Sequence, residues 1–310
     1  MSLVERALKK LQESRAATPS PAVAPTPTLR SPPTVPLMPP AQSVTQERRP
    51  APEAPIQRES PSRIVHIDKA QLRAIELMPP AAYERQIASQ YQHVKRPLVA
   101  AALGKSATPV PNGHLIMLAS ALPGEGKTFT SVNLALSMAL ERDMEVLLVD
   151  ADVAKPHLTR IFSLQAERGL LDLLGDSTLH PDSFILPTDV RGLSLLPAGK
   201  QVANATELLS SKRMEQIVSI LGASRGRIVL FDSPPLLLST ESRAIVEVVG
   251  QVVMVVRAEF TSRSAVNDAL DLIGENKPTS LILNQSEAAP SSGYYGYGSY
   301  GDAEPAAASP

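Results

Sequence analysis

The sequence predicts an α/β fold, a doubly wound and mostly parallel sheet with helices on both faces. Two observations lead to this prediction: short, β-branched apolar runs alternate with longer helical patterns, and the runs are continuously hydrophobic. Continuous hydrophobicity indicates strands that are covered on both faces, and strand–helix alternation indicates right-handed crossovers. The predicted strands are residues 115–120, 146–150, 193–197, 227–232, 252–257 and 280–284.

Composition divides the chain into a packed domain and segments that do not pack. The 310 residues include 29 prolines, and positions 18–61 consist largely of Pro, Ala, Thr and Ser, which cannot bury enough apolar surface to offset chain entropy. The amphipathic N-terminus suits docking on a partner and docking on the packed domain equally well. We expect an amphipathic helix at 1–15, a disordered proline-rich linker at 16–63, a packed domain at 64–285 and a flexible tail at 286–310.

Charge and cysteine content exclude several classes of function. The formal net charge of -1 and a pI near 6.5 give no electrostatic basis for a nucleic-acid partner, so we expect none. Cysteine is absent, which excludes disulfides and thiolate chemistry and agrees with a reducing cytoplasm. No uncharged apolar stretch approaches the roughly 20 residues that span a bilayer. We therefore expect a soluble protein, or one that something else holds at a membrane.

A glycine-rich loop follows the first predicted strand, where A-L-P-G-E-G-K-T (121–128) runs into a helical pattern. Its glycines let backbone N–H groups turn inward around an anion, and the helix N-terminus adds its dipole. Lys127 would contact the β and γ phosphates, and the Thr128 hydroxyl would coordinate Mg²⁺. The alternative, a glycine turn before an ordinary helix, does not explain Gly-Lys-Thr at a strand end. The expected nucleotide-binding residues are Pro123, Gly124, Glu125, Gly126, Lys127, Thr128 and Phe129.

Two further strands end in acidic residues. Asp150 and Asp152 end one strand in D-A-D, and Asp232 ends another. Any one of them alone would more often be a helix cap or turn residue. The carboxyl edge of an open parallel sheet is where ligands bind, so all three are expected to meet the phosphate loop there. Mg²⁺ usually takes one or two carboxylates and keeps waters, which suits this set.

Several stretches of the packed domain resemble the bacterial tyrosine kinases, whose phosphate-loop fold is unrelated to that of eukaryotic kinases. The resemblance covers roughly Tyr83 to Gln285 and the tyrosine-rich end. It is strongest to the capsular and exopolysaccharide kinases, and the short N-terminal helix with Q-Y-Q-H-V-K-R-P is similar to the exosortase-associated tyrosine autokinases. The matching stretches are S-A-L-P-G-E-G-K-T, V-L-L-V-D-A-D-V-A-K-P, I-V-L-F-D-S-P-P, G-L-L-D-L-L, L-L-P-A-G and N-A-T-E-L-L-S-S-K-R-M.

This resemblance implies a function for the tail, which reads Y-Y-G-Y-G-S-Y at 294–300. In the family a C-terminal tyrosine cluster is phosphorylated by a neighbouring copy of the same protein. The phosphate comes from ATP that is bound there together with Mg²⁺. A glycine-jointed tail can present a phenol in line with the γ-phosphate at little ordering cost. The alternative is a low-complexity segment that merely self-associates. The implied phosphoacceptors are Tyr294, Tyr295, Tyr297 and Tyr300.

The resemblance also assigns roles at the strand ends. Lys127, the loop amides and Mg²⁺ would stabilise charge on the transferring phosphoryl group. A phenol has a pKa near 10, so a carboxylate must accept its proton. Asp150 and Asp152 are the candidates for metal ligand and base, in either order, with Asp232 holding metal-bound water. Asn284 contacts the adenine edge by resemblance, or simply forms a turn.

One family feature is replaced in this chain. Relatives often carry an acidic-x-x-Arg-x-x-Arg pattern that assembles a ring, and the aligned positions are Ser89, Gln92 and Lys95. They fall in a helical pattern from Ala81 to Val94 that we expect to end near Pro97. The resemblance therefore does not extend to ring formation through this pattern. The nearby basic residues that either substitute for it or form a solvated helix face are His93, Lys95 and Arg96.

The resemblance implies partners as well. We expect a homo-oligomer, a separate polysaccharide chain-length regulator in the inner membrane as activator, and possible control by a cognate tyrosine phosphatase. The protein would be cytoplasmic and peripheral to the inner membrane through that activator. Two other functions remain open: a partitioning-type ATPase switch, which usually has a lysine where Leu122 stands and lacks a tyrosine tail, and a nucleotide-binding scaffold without kinase activity.

Overall fold

The computed structural model describes residues 63–224 and 226–286, which form a seven-stranded sheet covered by helices. Only β3 runs antiparallel to its neighbour, and the strand order is β3-β4-β2-β5-β1-β6-β7. The predicted doubly wound, mostly parallel α/β fold is confirmed. The strands are β1 Leu115–Ser120, β2 Glu145–Asp150, β3 Leu186–Pro187, β4 Leu193–Leu196, β5 Arg227–Asp232, β6 Gln251–Arg257 and β7 Thr279–Asn284.

Nine α-helices occur among the described residues, together with 3-10 turns at Ala81–Tyr83 and Pro181–Phe184. The expected helix at 1–15, nearly all of the linker and the tail with its four tyrosines lie outside the described residues. The α-helices are α1 Lys69–Ala74, α2 Glu84–Ala102, α3 Lys127–Ala139, α4 His157–Ile161, α5 Leu170–Gly175, α6 Ala205–Leu209, α7 Lys212–Gly222, α8 Glu241–Val248 and α9 Arg263–Ile273.

The central strands have an apolar core on each face of the sheet. Along β1, Met117 and Ala119 belong to the core under α7, α8 and α9, whereas Ile116 and Leu118 belong to the core under α2 and α3. Every residue of β1 is buried. Alternate side chains of a strand point to opposite faces, so a strand covered twice must be apolar throughout. This explains why continuous hydrophobicity predicted the central strands correctly. The expected cover on both faces is wrong for the edge strand β7, where Leu281 and Leu283 are exposed.

The predicted end of the helix near Pro97 is wrong, because α2 continues through this proline to Ala102. An interior proline costs a helix about 3 kcal/mol, since it removes one hydrogen bond and clashes with the preceding turn. Leu98 is 1% exposed and Ala101 is also buried, so the turn after Pro97 packs against the core. Burying a leucine side chain contributes roughly 1.5–3 kcal/mol and offsets much of that cost.

The segment at 63–80 connects the β3 edge of the sheet to the phosphate loop. Val65 forms a parallel bridge with Thr188, and its N–H donates to the Pro187 carbonyl at 2.8 Å. Further along, the Asn133 side chain of α3 donates to the Leu77 carbonyl at 2.9 Å. The segment is thereby fixed beside the helix that follows the phosphate loop. The strand β3 was not predicted, because two residues are too few to show a pattern.

Candidate active site

The phosphate loop lies at the carboxyl edge of the sheet, between β1 and α3. Gly124 and Gly126 have φ angles of 79° and 95°, which lie in the left-handed region that favours glycine. A Cβ atom on Gly126 would stand 2.0 Å from Nδ2 of Asn284 and displace this side chain, and the φ angle already disfavours any other residue there. Lys127 begins the helix, as the motif predicted. The backbone N–H groups at this helix start are available to an anion.

Glu125 holds the loop from the inside. Its side chain is fully buried, accepts a hydrogen bond from the Leu122 N–H at 2.6 Å and contacts the Thr261 hydroxyl. The Glu125 carbonyl accepts from Nδ2 of Asn284 at 2.9 Å. The loop motif predicted a role only for the backbone of Glu125. The partner Thr261 is distant in sequence, and no local pattern identifies such a contact.

Asp232, at the end of β5, is fully paired by the phosphate-loop helix. The Thr128 hydroxyl donates to Oδ2 at 2.9 Å, and the Ser131 hydroxyl donates to Oδ1 at 2.8 Å. Burial raises the pKa of Asp232, although the nearby charge of Lys127 opposes this shift. Ser131 was missed, although its position three residues after Thr128 places both hydroxyls on one face of a helix.

Asp150, at the end of β2, is only partly paired. Its Oδ2 atom accepts from the Thr159 backbone N–H at 2.8 Å and from the Thr159 hydroxyl at 2.7 Å. Its Oδ1 atom is buried and has no hydrogen-bond partner among residues 63–224 and 226–286. Burial, followed by the charge of Asp232, raises the pKa of Asp150 to about 7. Thr159 was not identified from the sequence, because nothing nearby marks it as a partner of Asp150.

Asp152 is the carboxylate that lines the large cleft over the phosphate loop. Its Oδ1 atom accepts from the Lys155 N–H at 3.0 Å, so Asp152 also acts as the turn residue that a strand-end aspartate often is. Burial raises its pKa, with Lys155 and the charge of Lys127 opposing the shift. By contrast, Asp150 and Asp232 lie behind the lining and are each 1% exposed. Only Asp152 among the three therefore faces incoming molecules directly.

The cleft has a volume of about 980 Å³. One wall is the 63–80 segment, which contributes Arg73, Glu76, Leu77 and Met78, and this wall was not foreseen from the sequence. Arg73 also donates to Glu84 at 2.7 Å. The expected site residues that line the cleft are Pro123, Gly124, Gly126, Lys127, Thr128, Phe129, Asp152 and Asn284, joined by Lys155.

Asn284 ends β7 and holds the loop backbone. Its amide nitrogen donates to Glu125 rather than to a residue of its own turn. The expected contact with adenine stays a prediction, and the position of Asn284 in the cleft lining is compatible with it. The phosphoacceptor tyrosines stay predictions too, because they lie outside the described part of the chain.

Lys95 does not form part of a solvated helix face, so that interpretation is wrong for this residue. It is 2% exposed, donates to the Ser137 carbonyl at 2.8 Å and pairs with Glu141 at 2.6 Å. It thereby joins α2 to the end of α3. Ser89, Gln92 and their basic neighbours His93 and Arg96 are exposed. Lys95 is consequently engaged within its own chain at the third position of the ring pattern.

The residues present fit a magnesium ion that accompanies a nucleotide. The candidate donors are oxygens of Thr128, Asp150, Asp152 and Asp232, which suit a hard cation. One buried oxygen of Asp150 has no hydrogen-bond partner among the described residues, and burial raises the pKa of all three carboxyls, so a cation beside them would offset the cost of burying their charge. Within the described residues, no cluster of three or more acidic, His or Cys side chains is arranged to hold an ion alone. An ion that keeps waters and phosphate oxygens needs no such cluster.

Fold and site together define a phosphate-loop nucleotide-binding protein. Residues 113–284 match the model of a family described as an AAA domain. The tyrosine-protein kinase YwqD of Bacillus subtilis is 32% identical over 186 residues, which cover 58% of this chain and 77% of YwqD. The VpsO kinase domain superposes with a TM-score of 0.55 at 28% identity, over 66% of this chain and 98% of that domain.

The chain belongs to this AAA-domain family and to the bacterial tyrosine kinases. The tyrosine-protein kinase ptk of Acinetobacter johnsonii is 33% identical over 184 residues, which are 58% of this chain and only 24% of ptk. The match therefore spans about a quarter of that longer relative. The exosortase-associated subgroup stays a prediction. No helix in the described part of the chain is long and apolar enough to cross a membrane.

Proposed function

We propose that this protein is an ATP-dependent tyrosine autokinase that regulates the synthesis and export of exopolysaccharide or capsule. It transfers phosphate to the C-terminal tyrosines of another copy, at Tyr294, Tyr295, Tyr297 and Tyr300. One observation carries the proposal: Lys127 and Thr128 of the phosphate loop line one large cleft together with Asp152, a carboxylate accessible to an incoming phenol. Membership in the tyrosine kinase family supports it.

The loop holds the triphosphate. Backbone N–H groups at the start of α3 donate to phosphate oxygens, and the Lys127 ammonium neutralises charge on the β and γ phosphates. Glu125 and Asn284 fix the loop before nucleotide arrives, so little reorganisation is needed on binding. Magnesium, when bound beside Thr128 and the strand-end carboxylates, supplies further neutralisation of phosphate charge.

The transfer step needs a proton acceptor and an oriented phenol. The tyrosine oxygen forms a bond to the γ-phosphorus while the bond from that phosphorus to the bridging oxygen breaks, and its electron pair leaves with ADP. Asp152 faces the cleft and accepts the phenolic proton, since a phenol is a weak nucleophile while protonated. Asp150 is held by Thr159 behind the lining and orients the strand end instead.

Regulation through partners forms part of the same proposal. The protein acts as a homo-oligomer and is activated by a chain-length regulator in the inner membrane, which places it at the cytoplasmic face of that membrane. A tyrosine phosphatase removes the phosphate groups from the tail tyrosines. Each phosphotyrosine adds about -1.5 to -2 charges, so several together repel one another and loosen the oligomer.

The test is incubation of the full chain with ATP and Mg²⁺, followed by intact-mass and peptide mass spectrometry. We expect phosphate on the tail tyrosines, and a loss of roughly a thousandfold or more in Lys127→Met, because charge neutralisation at the phosphates is removed. Lys105→Met, an exposed lysine outside the cleft, is the matched control and should label normally.

Other outcomes identify the competing functions. Phosphate released to water without phosphotyrosine would show an ATPase switch. Nucleotide binding with neither hydrolysis nor transfer would show a scaffold. A chain truncated after Ala289 that labels as well as the full chain would show that the tail is not the acceptor.

A further inference from the structure

A second cavity, of about 410 Å³, lies beside the cleft. Ala154 and Glu241 line both the cleft and this cavity, so the two are contiguous. Of these two shared residues, Ala154 lies two positions after Asp152, the carboxylate assigned to the phenolic proton. A molecule whose reacting group sits at Asp152 therefore has its neighbouring groups beside this second cavity.

The boundary between the two spaces is held in place. The Gln201 side-chain amide donates to the Val153 carbonyl at 3.0 Å and to the Ala154 carbonyl at 2.9 Å. Both carbonyls belong to the stretch after Asp152, and both are fixed by one side chain from the loop after β4. The cavity thus adjoins a backbone stretch next to Asp152 that Gln201 holds.

The lining of the cavity suits a phenol. Val153, Leu171, Val202 and Ala203 provide aliphatic surface. Glu241 adds a carboxylate, which accepts from the Thr206 hydroxyl at 2.9 Å and from the Ser239 hydroxyl at 2.5 Å. A carboxylate has about four lone-pair positions, so it can accept another donor. Apolar walls with one acceptor match the apolar ring and polar tip of tyrosine.

We propose that this cavity binds a second, unphosphorylated tyrosine of the same acceptor tail, next to the tyrosine that reacts in the cleft. The inference rests on the proposed kinase function and names the substrate feature that the site recognises. The occupant is the tail of a second copy of this chain. Its tyrosines at 294, 295, 297 and 300 give every acceptor another tyrosine one to three residues away.

The carboxylate makes the cavity selective. A phosphotyrosine carries about -1.5 to -2 charges, so Glu241 repels it, whereas Glu241 accepts a hydrogen bond from an unmodified phenol. A tail that already carries phosphate loses this second contact. The kinase therefore acts best on the unmodified tail, and later phosphates are added more slowly than the first.

The test uses the full chain with all four tail tyrosines replaced by serine, so that its own tail does not compete. Peptides of sequence S-S-G-X-X-G-Y-G-S-X-G-D present one acceptor, Tyr297, with X as phenylalanine, serine or phosphotyrosine. Burial of a ring predicts a KM roughly tenfold lower for phenylalanine flanks than for serine flanks at similar kcat. The KM of the peptide with phosphotyrosine flanks should be roughly tenfold higher than that of the peptide with serine flanks.

Two variants connect this discrimination to the cavity. Glu241→Gln should reduce the difference in KM between the peptides with phosphotyrosine and serine flanks, because it removes the repelling charge. Ala203→Trp should fill the cavity and raise the KM of phenylalanine-flanked peptide toward that of the serine-flanked one, with unchanged affinity for a fluorescent ATP analogue. Ala223→Trp makes the same exchange at an exposed site before β5, at the opposite edge of the sheet. It should change neither the KM of the phenylalanine-flanked peptide nor the affinity for the ATP analogue.

Equal KM values for phenylalanine and serine flanks would overturn the inference while transfer to Tyr297 still upheld the proposed function. An effect of Ala203→Trp no larger than that of Ala223→Trp would also overturn it. If the unmodified full chain gained no phosphotyrosine and no peptide were labelled, the proposed function would fall, and this inference with it.

Discussion

The β5 end and the β2 end of the site are built from the same kind of residue in opposite states. Asp232 and Asp150 stand directly opposite each other in the sheet, and each is 1% exposed. Both carboxylate oxygens of Asp232 receive hydroxyl donors from the phosphate-loop helix. Asp150 has donors on one oxygen only.

The fold by itself supplies all the hydrogen-bond donors that the Asp232 carboxylate needs, whereas it leaves one oxygen of Asp150 without a donor among the described residues. A buried carboxylate with full hydrogen bonding is stable without a cation, whereas one with an unpaired oxygen is costly until a positive charge arrives. The β5 end therefore holds the loop in shape in the free protein. The β2 end instead keeps one buried carboxylate oxygen without a donor among the described residues, and burial raises the pKa of this carboxyl.

Asp150→Asn gives the largest expected change in stability. The pKa of about 7 lies above the usual value of 3.8, so the folded state keeps a proton that the unfolded state loses. Stability therefore falls as pH rises between these values, and each pKa unit corresponds to about 1.4 kcal/mol. Urea unfolding from pH 5 to 8 should show a shallower decline in Asp150→Asn, with a gain of up to about 4 kcal/mol at pH 8.

Asp176→Asn is the control for this measurement. Asp176 is exposed, and the Thr178 hydroxyl and N–H lower its pKa, so it stays ionised across the whole range. It should leave the pH dependence unchanged. An equally steep decline in Asp150→Asn and in the unmodified chain would show that Asp150 is not the source.

Asp152→Asn should separate chemistry from binding. An amide cannot accept the phenolic proton, so tyrosine transfer should fall by about a hundredfold or more. Affinity for a fluorescent ATP analogue should change far less, because the phosphate loop is intact. Rapid-quench measurement of phosphotyrosine gives the rate, and Asp182→Asn, an exposed carboxylate outside the cleft, should behave as the unmodified chain does.

Ser131→Ala tests the fully paired end. It removes the donor to Oδ1 of Asp232 and leaves a buried carboxylate oxygen unpaired, which costs about 1–3 kcal/mol. Urea unfolding measures this loss. Ser137→Ala lies on the same helix, where its hydroxyl has no hydrogen bond among the described residues, and should cost much less. Similar losses in both variants would contradict the comparison of the two ends.

Asn284→Ala should have the smallest effect of these variants, a modest loss of nucleotide affinity. It removes one hydrogen bond to the Glu125 carbonyl, so the loop is less well held before nucleotide binds. A net hydrogen bond of about 1 kcal/mol corresponds to an approximately fivefold weaker nucleotide affinity. Calorimetric titration with a non-hydrolysable ATP analogue measures it. Ser280→Ala, on the exposed part of the same strand, should leave the affinity unchanged.

Much of the fold was predictable because it depends on local patterns. Continuous apolar runs located six strands within one residue at each end, and Gly-Lys-Thr after β1 located the phosphate loop. The end of α2 was wrong because packing of Leu98 overrode the local preference of Pro97. The interpretation of Lys95 as part of a solvated helix face was wrong for a similar reason. Its partners Ser137 and Glu141 lie in another helix and just after the end of that helix.

The sequence by itself determined the order of the strands along the chain, the loop that receives phosphate and the set of three candidate carboxylates. Only the tertiary structure decided their burial and their hydrogen-bond partners, because these depend on residues far apart in sequence. Thr159 holds Asp150 inside, Thr128 and Ser131 pair Asp232, and Asp152 alone faces the cleft. A carboxylate's chemistry depends on its surroundings, and the three-dimensional fold sets those surroundings.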